Sequence, residues 1–121
     1  FTLARVRPPL ESYRAKVNLT PFPPDRAAID AMAGAVVVEF GTDWCGHCQA
    51  ARPLVRMALE AHPNVRHIKV EDGRGRRLGR TFGVKLWPTL VFLRDGEEIA
   101  RLVRPTDAAE VMRAFTLLDA G

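Results

Sequence analysis

Apolar residues recur along this chain in two rhythms, and the switch between them lays out its elements. Ala35-Val36-Val37-Val38-Glu39-Phe40 is apolar throughout except at Glu39, the pattern of a strand buried on both faces. Ala51, Leu54, Val55, Ala58 and Leu59 then recur at i, i+3, i+4, i+7 and i+8. That spacing predicts an amphipathic helix, ended by Pro63 and kinked at Pro53, whose ring removes one backbone hydrogen bond. Val65 to Val70 is the next strand, so a right-handed crossover should lay the two strands parallel.

Upstream, Pro8-Pro9 interrupts any long helix in the first 16 residues, and Val17-Asn18-Leu19 is a short candidate strand ended by prolines. Asp25 can cap a helix reaching Ala33, with Ala28, Ile29 and Met32 on its apolar face and Gly34 as its stop. Downstream, Leu78 and Phe82 mark a short helix stopped by Gly83. Thr89 to Leu93 reads as a strand, and Asp95-Gly96 as a hairpin turn into a strand from Ile99 to Val103. Thr106 or Asp107 caps a last helix with Val111, Phe115 and Leu118 on its stripe. The order β-α-β-α-β-α-β-β-α describes an α/β domain with a central mixed β-sheet flanked by helices on both faces.

Composition and charge narrow the function classes. A chain of 121 residues, 47% hydrophobic and 26% charged, is one globular domain's worth. No apolar run approaches the roughly 20 residues that cross a bilayer, so no membrane partner is expected. The net charge of +4 is carried mainly by arginine. Arg74, Arg76, Arg77 and Arg80 are the densest group, but no aromatic residue interleaves them as a single-strand platform requires. They read as a solvated helix face, and no nucleic-acid partner is expected; acidic partners should be favoured at long range. The first residues, beginning at Phe1, show no apolar leader segment, but a chain that starts at Phe can have had one removed, so this absence does not place it; the expectation is a cytoplasmic protein, or a periplasmic or otherwise exported one if a leader has been removed.

The candidate chemistry lies between the first long strand and its helix, at Trp44-Cys45-Gly46-His47-Cys48, which holds both cysteines of the chain. Two intervening residues put the sulfurs on one helical turn, within reach of a disulfide. If Cys45 opens the helix, unpaired N–H groups and the positive end of the helix dipole stabilise its thiolate and make it the nucleophile. Cys48, one turn inside, would then be the resolving thiol. Such pairs also bind zinc or iron, but a structural zinc site needs two more ligands and there is no third cysteine. A CxxC beside a βαβ pattern points to redox chemistry, and no metal is expected.

Glu39-Phe40, Trp44-Cys45-Gly46-His47-Cys48, Pro53 and Trp87-Pro88-Thr89 stand in the order and spacing of thioredoxin-like proteins, and the chain resembles that family from about Val17 to Leu118. The resemblance implies a thioredoxin fold over residues 17–121, with residues 1–16 as an N-terminal extension. It implies a protein disulfide oxidoreductase, monomeric, with no cofactor beyond its own Cys45–Cys48 dithiol. Its partners would be protein thiols and disulfides, with a thioredoxin reductase or another dithiol donor supplying electrons. The alternative class is a thioredoxin-fold interaction module, a chaperone or assembly factor without essential redox turnover.

Residue by residue, Cys45 resembles the attacking cysteine and Cys48 the resolving one, with Trp44, Gly46, His47 and Pro53 as active-site support. Glu39 falls where the family carries a buried acid, and Lys69 where it commonly has a lysine beside that acid. The acid would accept the Cys48 proton; the plain alternative is a Glu39–Lys69 ion pair that fixes strand register. Pro88 resembles a cis-proline facing the disulfide, so that the Trp87 backbone, Pro88 and Thr89 receive an extended substrate peptide; otherwise it is a trans proline opening a strand. Gly46-His47 is the pair of protein disulfide isomerases rather than of thioredoxins. A histidine able to carry charge there favours the reduced form, implying a reduction potential between about −270 and −180 mV. The direction of exchange stays open. Gly41-Thr42 lacks the aromatic support common in the family, a gap that Trp87 either fills by packing or leaves while contacting substrate. Arg104 stands where the family usually has glycine on the rim of the groove, and should exclude some partners and favour acidic ones.

Overall fold

In the computed structural model, residues 23–120 are described. They form, in order, α1 (Arg26–Asp30), β1 (Ala35–Gly41), α2 (Gly46–Ala61), β2 (Arg66–Glu71), α3 (Leu78–Thr81), β3 (Thr89–Arg94), β4 (Glu97–Val103) and α4 (Ala108–Ala120). The extension 1–16 and the strand expected at Val17–Leu19 lie outside the described residues. The sheet order is β2-β1-β3-β4, with β1 parallel to β2, antiparallel to β3, and β3 antiparallel to β4.

β1 is central because both of its faces are apolar. Val36, Val38 and Phe40 pack with Ile29 of α1, Leu78 of α3, Phe82, Val91 and Leu93. Val37 faces the other way, into a cluster with Val55 and Ala58 of α2, Leu90, Phe92, and Val111, Phe115 and Leu118 of α4. Helices therefore cover both faces, α1 and α3 on one, α2 and α4 on the other. Fully buried Phe115 meets Phe92 edge to face at 5.2 Å, and truncating such a ring typically costs about 3–5 kcal/mol.

Several boundaries differ from the sequence pattern. α1 is capped by Asp25, whose side chain accepts from the Ala28 N–H, but it ends at Asp30 rather than Ala33. The turn between β3 and β4 explains this. Asp95 and Gly96 both have positive φ (51° and 84°), as a two-residue hairpin turn of this hand requires. Asp95 Oδ1 accepts the Gly34 N–H at 2.7 Å, and a Cβ on Gly96 would collide with the Asp30 carbonyl. The turn thus occupies the space a longer α1 would need. β4 begins at Glu97, two residues before the apolar alternation starts. The arginine cluster is not a helix face: Arg80 lies in α3, Arg77 stands just before it without a capping hydrogen bond, and Arg74 and Arg76 precede it, with Arg76 3.5 Å from Glu71.

α2 runs 16 residues, through Pro53, without interruption. Its far end is tied to α4, because His62 Nδ1 lies 2.7 Å from Asp119 Oδ2 while the ring stacks on Phe115. Asp107 opens α4, accepting the Ala109 N–H.

Candidate active site

The alternation of β1 decides what lies beneath the cysteines. Val37, Glu39 and Gly41 share the face turned toward α2, so an acid and a glycine follow the apolar residue toward the strand's end. At Gly41 a Cβ would stand 2.6 Å from Cys48 Sγ. The missing side chain lets the first turn of α2 settle against the strand.

Cys45 is the N-cap residue of α2, and its sulfur accepts the Cys48 N–H at 3.2 Å. A sulfur in place of the usual capping oxygen sits where the helix's free N–H groups and dipole favour negative charge. Both thiols are free and buried, 7% and 4% exposed. They are not equivalent. Burial above all, then the hydrogen bond to Cys45, and finally the negative charges of Cys45 and Glu39, push the Cys48 thiol up to about 12; a backbone contact from Thr42 works the other way. Cys48 is thus held as a protonated thiol at neutral pH.

Glu39, 4% exposed, is in register with Lys69 of β2. Burial lowers the Lys69 ammonium below its ordinary range, and Glu39 opposes that shift. Glu39 thus stands beside Lys69 in register and charge, and its Oε1 also lies 2.8 Å from Nε2 of His67.

Opposite the sulfurs stands the segment before β3. The Trp87–Pro88 bond is cis. The Cys45 thiol points at the Trp87 carbonyl, 3.9 Å away, and Thr89 Oγ1 donates to the Leu86 carbonyl at 2.7 Å. Trp87 is half-buried: its Nε1 donates to Asp72 Oδ2 at 2.9 Å, and Trp44, 74% exposed, meets it edge to face at 5.7 Å. Arg104 closes the rim with φ 51°, its backbone N–H bonded to the Pro88 carbonyl (2.9 Å) and its Nε–H to the Trp87 carbonyl (2.8 Å).

The fold therefore gathers Glu39, Lys69, Trp44, Cys45, Cys48, Trp87, Pro88, Thr89 and Arg104 at one corner. Gly46 and His47 lie exposed on the first turn of α2, and Pro53 lies exposed farther along it. Three residues take parts in the site that the sequence pattern alone does not assign them. His67 has a signal, since it alternates with Lys69 and so shares its face. Gly41 has one too, two residues beyond Glu39. Asp72 has none: it leaves β2, bonds through its backbone N–H to the Gly41 carbonyl, and meets Trp87 across the end of the sheet. Gly79 leaves room for its carboxylate, which a Cβ would strike. Among the described residues no group of three or more His, Cys, Asp or Glu is placed to hold a metal ion.

A mixed sheet covered on both faces, with a cysteine pair at a helix start facing a cis-proline, defines the thioredoxin class of disulfide-exchange folds. The thioredoxin family model matches residues 25–116, and the chain belongs to the thioredoxin family, a family of protein disulfide oxidoreductases. It is similar to thioredoxin 2 of Pseudomonas aeruginosa PAO1 in its reduced form, at 57% identity and a TM-score of 0.78, over 84% of this chain and 94% of that one. A thioredoxin of Chlamydia muridarum is 30% identical over 92 residues, 76% of this chain and 90% of that protein. A thioredoxin of Aspergillus fumigatus is 35% identical over 71 residues, 59% of this chain and 66% of that protein.

Proposed function

We propose that this chain exchanges disulfides with protein substrates through Cys45 and Cys48, with a thioredoxin reductase or another dithiol donor renewing the dithiol. The observation that carries the reading is the inequality of the two sulfurs. One caps a helix and accepts an N–H bond, and the other is buried and kept protonated.

The step balances as follows. The Cys45 thiolate attacks a substrate disulfide, forming a mixed disulfide and releasing one substrate sulfur as thiolate. The Cys48 proton then passes to the Glu39 carboxylate, with Lys69 supplying positive charge nearby. The Cys48 sulfur bonds to Cys45, and the second substrate sulfur leaves with the electron pair. The substrate gains two electrons and the Cys45–Cys48 pair loses them. The reverse sequence oxidises a substrate dithiol, so the partner's redox poise sets the direction. An extended substrate segment lies along the Trp87 backbone, Pro88 and Thr89 as an added strand, with Trp44 and Arg104 on its rim.

Trapping tests the assignment. The Cys48→Ser variant should accumulate a mixed disulfide with a disulfide-bonded protein, attached at Cys45, and Cys45→Ser should form none. Retained turnover in Cys45→Ser overturns the order of attack.

A further inference from the structure

We infer that His67 is a positioning residue for the resolving step, holding the Glu39 carboxylate through one of its oxygens so that the group stays placed to take the Cys48 proton. The inference rests on the reading of Glu39 as the base, and adds what orients it. His67 pairs with Val37 across the β1–β2 ladder, not with Glu39, so its ring must lean along the sheet face to put Nε2 2.8 Å from Oε1. The ladder itself, six residues long and flanked by buried valines, already sets the register of the two strands. The diagonal contact is not needed for that purpose.

A carboxylate that will take a proton must begin as an acceptor, so the facing Nε2 must carry a hydrogen and donate it. Glu39 Oε1 is then engaged by the imidazole, which restrains rotation of the carboxylate whose charge acts on Cys48. Glu39 has three side-chain torsions, and its side chain is only 5% exposed, so water cannot easily substitute for the ring in fixing it. The His67 side chain, 19% exposed, spans from that buried carboxylate toward solvent. A base misplaced by about 1 Å can lose on the order of a hundredfold in rate.

The test mixes reduced protein with excess of a small peptide disulfide. Acid quenching and mass measurement then follow the mixed disulfide as it forms and decays. Formation reports attack by Cys45, and decay reports resolution by Cys48. His67→Leu should slow decay about tenfold or more and leave formation within about twofold. His67→Gln carries an amide Nε2–H at the same bond count from Cβ, and should restore decay to within about threefold of the native rate. His67→Asn, too short to reach, replaces the leucine variant should that one not fold. Equal slowing of both steps, or a glutamine variant as slow as the leucine one, reduces His67 to packing and overturns the inference. Glu39→Gln is measured alongside. If it slows decay while His67→Leu does not, only the role of His67 falls; if it leaves decay unchanged, the reading of Glu39 falls and this inference with it.

Discussion

Arg104→Gly separates stability from selectivity at the rim. Three terms act on the fold. Relief of a non-glycine residue from φ 51° returns about 1 kcal/mol. The freer unfolded glycine costs about 0.4–1 kcal/mol. Loss of the exposed Nε–H bond to the Trp87 carbonyl costs at most about 1 kcal/mol. The sum lies within about 1 kcal/mol of zero, a Tm change of a few degrees. Selectivity is another matter. The 2.8 Å and 3.9 Å contacts that share the Trp87 carbonyl put Arg104 Nε no more than about 7 Å from Cys45 Sγ. Unit charges at that separation interact by about 0.6 kcal/mol in bulk water and about 2.4 kcal/mol at an effective dielectric constant near 20, and an exposed pair settles near 1 kcal/mol. Exchanging Asp for Lys beside the attacked substrate cysteine turns attraction into repulsion, about 2 kcal/mol, or roughly thirtyfold. The assay is the rate of attack on two peptide disulfides differing only in that residue, at low salt and at 1 M. Native protein should favour the acidic peptide by at least about tenfold at low salt and under threefold at 1 M, where the screening length is about 3 Å. Arg104→Gly should show under threefold in both. A preference that survives the substitution, or that ignores salt, refutes the placement of Arg104 as the selecting charge.

Three further outcomes follow from the site. Because Cys48 is raised from 9.0 to about 12, the unfolded chain releases that proton first as pH rises above 9. Reduced native protein should therefore lose up to about 1.4 kcal/mol per pH unit relative to Cys48→Ser between pH 9 and 12, read from urea midpoints, whereas parallel curves contradict the shift. Gly41→Ala overpacks Cys48 Sγ and should cost about 1–3 kcal/mol, seen as a Tm drop of at least about 5 °C that shrinks in a Cys48→Ala background; an unchanged Tm refutes the close approach. His47→Pro should lower the potential of the cysteine pair against glutathione by on the order of 30 mV, equivalent to about 1.4 kcal/mol, and a rise contradicts the charge argument.

What was legible in the sequence was what depends on local rhythm. The apolar run of β1, the stripe of α2, the Asp25 and Asp107 caps and the Asp95-Gly96 turn each show themselves within a few residues, and the structure keeps them. The cysteines were legible for the same reason, since they fall between the apolar run of β1 and the stripe of α2. The contacts that tune the site were not. The partner of Glu39 depends on how β2 registers against β1, a pairing across 28 residues of chain, and the rhythm favours Lys69 and His67 equally. The length of α1 is set by a hairpin turn some 60 residues away. The lack of an aromatic residue after Phe40 looked like a missing support. The structure adds that a Cβ at Gly41 would stand 2.6 Å from Cys48 Sγ, so a side chain there must compete with the resolving thiol for space.

The chain has two tryptophans, and Trp44 and Trp87 meet beside Cys45. All of its indole emission therefore originates at one corner of the molecule. A disulfide forming there should change that emission, so redox titration followed by fluorescence is expected to report on this corner without a label. The same concentration of fluorophores biases an unfolding experiment, because emission reports the loosening of that corner while far-UV dichroism reports the sheet and helices. Transitions that coincide by the two probes would show that the corner opens only with the whole fold, and emission that changes first would reveal a separately melting site.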